Sequence, residues 1–190
     1  MLEVEAKAEI VRTEDQVEME AAAMNILARV EEMGAQDLRK VEQWDLYLNH
    51  PCKDFGRTDE AFRIRAERTE EMEDWDIRMT YKGPMLSDVT KARVEREIEL
   101  KEGSTIEGVQ EMFSSVGLEV AGEVKKNRWI LSLDDVVLSI DMVEGLGTYL
   151  EVEIMSENLT DAECRILDLL DTLELTERER KSYLELIFEG

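Results

Sequence analysis

Charged and apolar residues alternate without a break in Glu3-Val4-Glu5-Ala6-Lys7-Ala8-Glu9-Ile10. A period of two places the charges on one face of a strand and the apolar residues on the other. The period then changes. Thr13 and Gln16 have the spacing of a capping box, and Val17, Ala21, Met24 and Leu27 recur at helical intervals until Gly34 supplies a stop. The methionines of this stretch read as core filling.

Strand alternation returns along most of the remaining chain. Gln43, Asp45 and Tyr47 oppose Trp44, Leu46 and Leu48, and Arg63 and Arg65 oppose Phe62 and Ile64. Arg78, Thr80 and Lys82 oppose Ile77, Met79 and Tyr81. From Lys91 onward, Arg93, Glu95, Glu97 and Glu99 oppose Val94, Ile98 and Leu100, with Arg96 out of phase. Lys126 and Arg128 oppose Trp129 and Leu131; Asp141 opposes Ile140 and Met142; Glu151 and Glu153 oppose Leu150, Val152 and Ile154. A second helix is predicted over Thr105–Ser115, ended by Gly117, and two leucine-faced helices over Asp161–Leu173 and Thr176–Phe188. No linker rich in Pro, Gly or Ser divides the chain. Residues 1–190 therefore read as one domain, with strands to about residue 155 and C-terminal helices over about 159–188.

About eight such segments joined by short turns suit an α+β, mainly β fold, and that number closes a small antiparallel barrel. In most such proteins the apolar face turns inward and the charged face meets water. The inverse arrangement is a closed eight-stranded barrel with a polar, charged lumen and helices covering its apolar outside. The amphipathic helical stretches are available to cover it.

Composition narrows the setting. At 190 residues and 43% hydrophobic, the chain can bury a core and is too apolar to be disordered. A formal charge of -23 disfavours nucleic acid and anionic membranes as partners. No apolar run approaches a membrane span and the start is acidic, so a cytoplasmic location is expected. Cys52 and Cys164 read as reduced thiols, and the lone His50, in a turn-like stretch, is given no catalytic role. The leucine faces of the last two helices cap the barrel or pair two subunits, which leaves a homodimer open. An anionic substrate would require the few basic residues to be gathered where it binds.

The charged faces are sorted in that sense. Glu3, Glu5, Glu95, Glu97, Asp141, Glu151 and Glu153 offer hard oxygen ligands suited to Mg²⁺ or Mn²⁺. Lys7, Arg63, Arg65, Lys82, Arg93, Lys126 and Arg128 offer donors for phosphate oxygens. Phosphoryl chemistry needs both sets, and neither is buried cheaply without the other.

These segments, in order, resemble a known family. Glu3-Val4-Glu5-Ala6-Lys7 is similar to the signature of the CYTH superfamily, the class IV adenylyl cyclases and thiamine triphosphatases also called triphosphate tunnel metalloenzymes. Gln43–Leu48, Ala61–Arg65, Tyr81–Pro84, Arg93–Glu97, Lys126–Arg128, Asp141–Gly147 and Glu151–Ile154 resemble its later strands, and Lys181–Leu186 the ending of its cyclase-like branch. The resemblance implies that Glu3, Glu5, Glu151 and Glu153 bind metal, with Asp141 joining them and Glu95 in support. It also implies that Lys7, Arg63, Arg65, Lys82, Lys126 and Arg128 grip a triphosphate. Lys7, Arg63, Arg65 and Glu95 are the catalytic candidates, and Arg93 shares the substrate-facing side. The implied reaction is cyclisation of ATP to 3′,5′-cyclic AMP and pyrophosphate, toward which the Gly145-Leu146-Gly147 turn and the C-terminal tail lean. Its alternatives are hydrolysis of thiamine triphosphate or inorganic triphosphate, and a barrel that binds polyphosphate without turnover.

Overall fold

The computed structural model of the protein describes residues 2–84 and 91–189. Strand β1 spans Leu2–Arg12 and is followed by helix α1, Gln16–Glu32. Strands β2 (Gln36–Asn49), β3 (Ala61–Arg68), β4 (Asp76–Lys82), β5 (Lys91–Arg93) and β6 (Glu95–Glu99) lead to α2, Ile106–Ser115. Then come β7 (Glu119–Leu133), β8 (Val136–Val143), β9 (Gly147–Ser156), α3 (Leu159–Thr172), β10 (Arg178–Glu179) and α4 (Tyr183–Glu189).

All strand pairings are antiparallel, and the main path runs β10-β1-β9-β8-β7-β2-β3-β4-β6, with β5 paired to β1 off that path. The expectation of a closed eight-stranded barrel is corrected here. The ladder is not a continuous ring, because the segment read as one strand from Lys91 breaks at Val94. Its first part pairs with β1 (Glu3 opposite Arg93), and its second with β4 (Lys82 opposite Glu95). At the break the Val94 carbonyl accepts a hydrogen bond from Gly83 N at 2.9 Å, so this carbonyl is satisfied outside the ladder.

The faces are inverted as expected. Val4, Ala6 and Ala8 of β1 are buried against Met19, Ala23, Ile26 and Val30 of α1 and Ala162, Ile166 and Leu170 of α3. On the other side, Ile106 and Val109 of α2 cover Leu46, Leu48 and Ile64. Each fully buried side chain of this size contributes about 1.5–3 kcal/mol, so the cores lie outside the sheet and its other face is left to polar residues.

Two helix expectations are corrected. Asp15, not Thr13, caps α1, accepting from Val17 N and Glu18 N, and Val17 and Met24 are exposed. The buried stripe is Met19, Ala23, Ile26, Leu27 and Val30, a longer i, i+4, i+7, i+8, i+11 series than the one anchored on Val17. The expected helix from Thr176 is instead the short β10, paired to Lys7 and Ala8, then α4 from Tyr183. The α3 stripe is consumed within the subunit, against β1 and β9.

The Gly145-Leu146-Gly147 turn is built for close approach. A Cβ at Gly147, whose φ is +140°, would lie 2.2 Å from the Val11 carbonyl oxygen. Bare glycine there lets the start of β9 lie against β1 beside the register shift between Glu9 and Val11. Among the described residues no helix is long and apolar enough to cross a membrane.

Candidate functional site

The polar faces of the strands enclose a cavity of about 500 Å³. From β1 it receives Glu3, Glu5 and Lys7; from β3, Arg63 and Arg65; and from β4, Lys82. Arg93 and Glu95 enter from the two sides of the Val94 break, Lys126 and Arg128 from β7, and Glu151 and Glu153 from β9. Ladder register explains the gathering: Glu5 lies opposite Glu153, Lys7 opposite Glu151, and Lys82 opposite Glu95. Every residue predicted for the site lines this space except Asp141.

Cations along the wall are held ready by buried carboxylates. Asp45, 1% exposed, accepts two hydrogen bonds from Arg65 at 2.6 and 2.7 Å and lies 3.6 Å from Arg63 Nη1. Burial alone would raise its pKa, but Arg65 and Arg63 overrule it and hold the carboxyl far below the usual range. Arg63 Nε and Arg78 Nε are buried with no hydrogen-bond partner among the described residues. Donors in that condition suit an anionic ligand that completes them.

Asp141 lies behind the cavity wall, fully buried. Arg128 holds both its oxygens, Lys126 Nζ is 3.0 Å away, and the Tyr183 hydroxyl donates to it at 2.8 Å. Arg128 also bonds Glu151, so its guanidinium bridges Asp141 behind the wall to a carboxylate that lines the cavity. Burial, with Arg128 close by, pushes Lys126 down to about 8.

Among the described residues, no three carboxylates converge as a preformed metal cluster. Lys82 Nζ stands in their midst, 2.9 Å from Glu3, 2.9 Å from Glu95 and 3.8 Å from Glu5. Burial and a hydrogen bond with Glu95 push Glu3 up to about 9. Burial and neighbouring Glu5 also raise Glu153. Carboxylates crowded until an ammonium and extra protons must neutralise them fit a divalent cation, and their hard oxygens suit Mg²⁺ or Mn²⁺.

The family model described as the CYTH domain matches residues 1–185. The chain belongs to the CYTH family. Membership carries a triphosphate-tunnel fold and dependence on a divalent metal. This CYTH chain is 32% identical over 166 residues, 85% of its length and 90% of the relative's, to a Methanocaldococcus jannaschii protein named "Putative adenylate cyclase". A solved Pyrococcus horikoshii structure is 31% identical with a TM-score of 0.83, each chain 98% covered. A conserved hypothetical protein of Pyrococcus furiosus is 26% identical with a TM-score of 0.78, covering 97% of this chain and 99% of its own.

Strand alternation did not reveal one wall of the CYTH tunnel. Val124, Val143 and Tyr149 share the inward parity of Lys126, Asp141 and Glu151, and they pack with Tyr183 and Leu186 of α4 in a separate apolar cluster. Tyr183 reaches into the cavity beside Ser182, 3.9 Å from Lys7 Nζ and 4.9 Å from Lys126 Nζ measured to its ring centre. Lys7 Nζ also donates to the Lys181 carbonyl at 2.5 Å. The apolar residues at 124, 143 and 149 were the available signal, since they interrupt the polar face where α4 lands.

Proposed function

We propose that this CYTH protein binds ATP with Mg²⁺ or Mn²⁺ in the charged cavity and converts it to 3′,5′-cyclic AMP and pyrophosphate. The observation that carries the reading is one cavity in which Arg63, Arg65, Lys126 and Arg128 face Glu3, Glu5, Glu151 and Glu153. A site for a simple anion would gain nothing from the carboxylates.

Lys7, Arg63, Arg65, Lys82, Arg93, Lys126 and Arg128 are assigned to the phosphate oxygens, Asp45 and Asp141 keeping Arg65 and Arg128 aimed. Glu3, Glu5, Glu151 and Glu153 would hold the metal, which supplies Lewis-acid polarisation of the phosphates. Glu95, beside Lys82 and Glu3, is assigned to keeping those two groups in place. In the reaction the 3′-hydroxyl gives its proton to solvent water, its oxygen bonds the α-phosphorus, and the bond from that phosphorus to the bridging oxygen breaks, its electron pair leaving with pyrophosphate. The arginines neutralise the negative charge that grows on the leaving group. The name borne by the Methanocaldococcus jannaschii relative supports cyclisation.

The test is product identification with ATP, thiamine triphosphate and inorganic triphosphate, each with Mg²⁺ or Mn²⁺. Cyclic AMP with pyrophosphate is expected. Orthophosphate without cyclic AMP moves the protein to the triphosphatases, which need only the phosphate grip and a held water. Tight metal-dependent binding without turnover of any triphosphate leaves a binding barrel.

A further inference from the structure

Arg65 of β3 lies directly opposite Arg78 of β4, and both line the charged cavity. Arg65 is clamped on Asp45 by two short bonds. Arg78 is held far more loosely. Its Nη1 is 3.4 Å from Glu97 and its Nη2 is 3.7 Å from Glu67, and its Nε is buried with no hydrogen-bond partner among the described residues. Close guanidinium–carboxylate bonds run about 2.7–2.9 Å, so Arg78 keeps donor capacity that the protein leaves largely unused. Glu97 is fixed in turn by the Thr80 hydroxyl at 2.9 Å.

Ladder register locates this pair within the cavity. On β2, β3 and β4 the inward positions form rows: Tyr47, Arg63 and Thr80; then Asp45, Arg65 and Arg78; then Gln43, Glu67 and Asp76. Tyr47 and Ala61 also line a neighbouring cavity, which puts the open side of the charged cavity at their level. From Ala61 to Arg65 the strand advances about 13 Å at roughly 3.3 Å per residue. Beyond Arg65 and Arg78 the sign of the wall changes. Gln43 donates to Glu67 at 2.6 Å; both are buried, and neither lines the cavity. Two cations stand near this third row. Arg39, its side chain 57% exposed, is 3.8 Å from Glu67, and Lys126, opposite Gln43 on β7, donates to Asp141 at 3.0 Å. A phosphate chain lying along these strands meets paired guanidiniums and then a fixed carboxylate, where like-charge contact ends it.

We propose that Arg78 is a further substrate-binding residue, and that with Arg65 it forms an end subsite for the terminal, unesterified phosphate of the triphosphate. This assignment rests on the tunnel reading above and adds to it the residue that reads the free end of the chain. A terminal phosphate offers three acceptor oxygens and close to two charges, whereas an esterified one offers fewer of both. Two guanidiniums side by side, one with an open Nε–H, match the terminal group. Until it arrives, Glu67 and Glu97 hold Arg78 in the wall and offset the repulsion between the two arginines.

The experiment is equilibrium binding at low temperature with Mg²⁺, using inorganic triphosphate, the α,β-methylene analogue of ATP and the γ-methyl ester of that analogue. Wild type is expected to bind the free-ended analogue roughly tenfold or more tighter than its methyl ester. Arg78→Gln should weaken inorganic triphosphate and the free-ended analogue by about the same factor while the ester binds nearly as before, so the preference collapses. Arg78→Lys, which keeps the charge but loses the fork, should retain part of it. An arginine that only braces Glu67 and Glu97 would lower Tm and leave the preference intact. That result, or equal weakening of all three ligands, overturns the proposal. Where Arg78→Gln does not fold, Arg78→Lys decides: a preference reduced several-fold supports the subsite, and an unchanged one overturns it. If inorganic triphosphate does not bind the wild-type protein, the tunnel reading itself fails and this inference falls with it. Binding to wild type without preference for the free end defeats this inference alone.

Discussion

Removing the negative charge of Asp45 should destabilise the free protein and strengthen its response to triphosphate. The carboxylate is buried with two short bonds to Arg65 and a further contact to Arg63. Taking one partner from such a pair costs about 3–5 kcal/mol, because the remaining charges are left buried without compensation. Asn retains one acceptor, so Asp45→Asn belongs near the lower end, about 3 kcal/mol. For a chain of this size that lowers Tm by roughly 6–12 °C. A bound triphosphate restores negative charge beside the same two guanidiniums. The gap in Tm between wild type and variant should therefore narrow in saturating Mg²⁺ and inorganic triphosphate, where any ligand of the folded state adds about 2.7 kcal/mol at a hundred times its Kd. Thermal unfolding with and without ligand measures both quantities. A loss below about 1 kcal/mol, or a gap that stays constant or widens with ligand, refutes the reasoning. The pH dependence has a definite sign. Because the folded carboxyl is held below its unfolded value of about 3.9, its stabilisation is present above that pH and drains away below it. The wild-type advantage should shrink correspondingly in acid.

Other outcomes follow from the same geometry. Activity should vanish in excess chelator and return with Mg²⁺ or Mn²⁺; full activity in chelator contradicts the role given to the carboxylates. Glu5→Ala and Glu153→Ala, which remove opposite members of one ladder pair, should each abolish turnover while circular dichroism and Tm stay near wild type. Gly147→Ala places a Cβ against the Val11 carbonyl in a glycine-only conformation, and should cost at least about 2 kcal/mol in urea unfolding.

The strands and their two faces were legible because β-strands repeat every two residues, and the charged face of each strand survives in the linear text; that the charged face turns inward rested on the family resemblance. Glu3, Glu5 and Lys7 needed only that rule to be placed on one side. Pairing between distant strands was not legible, so the break at Val94, which turns one expected strand into two with different partners, left only Arg96 out of phase as a trace. The α1 stripe was misplaced because two overlapping helical series fit the same methionine-rich segment, and tertiary packing against β1 chose between them. Asp141 had the residue type and parity of a metal ligand. Its place behind the cavity wall was not legible, because Arg128, Lys126 and Tyr183, which bond it there, come from β7 and α4 and meet only in the fold.

Placing Glu5 directly opposite Glu153, and clasping Lys7 to a carbonyl 174 residues away, has a consequence for how the molecule forms. Loop closure over such separations must precede any reward from the contacts, which places the protein among slow, high-contact-order folders. Like charges facing each other across the closing ladder add a repulsive barrier in dilute buffer. Counterions should therefore act as folding catalysts for this chain, with Mg²⁺ accelerating refolding at concentrations far below those at which monovalent salt does so.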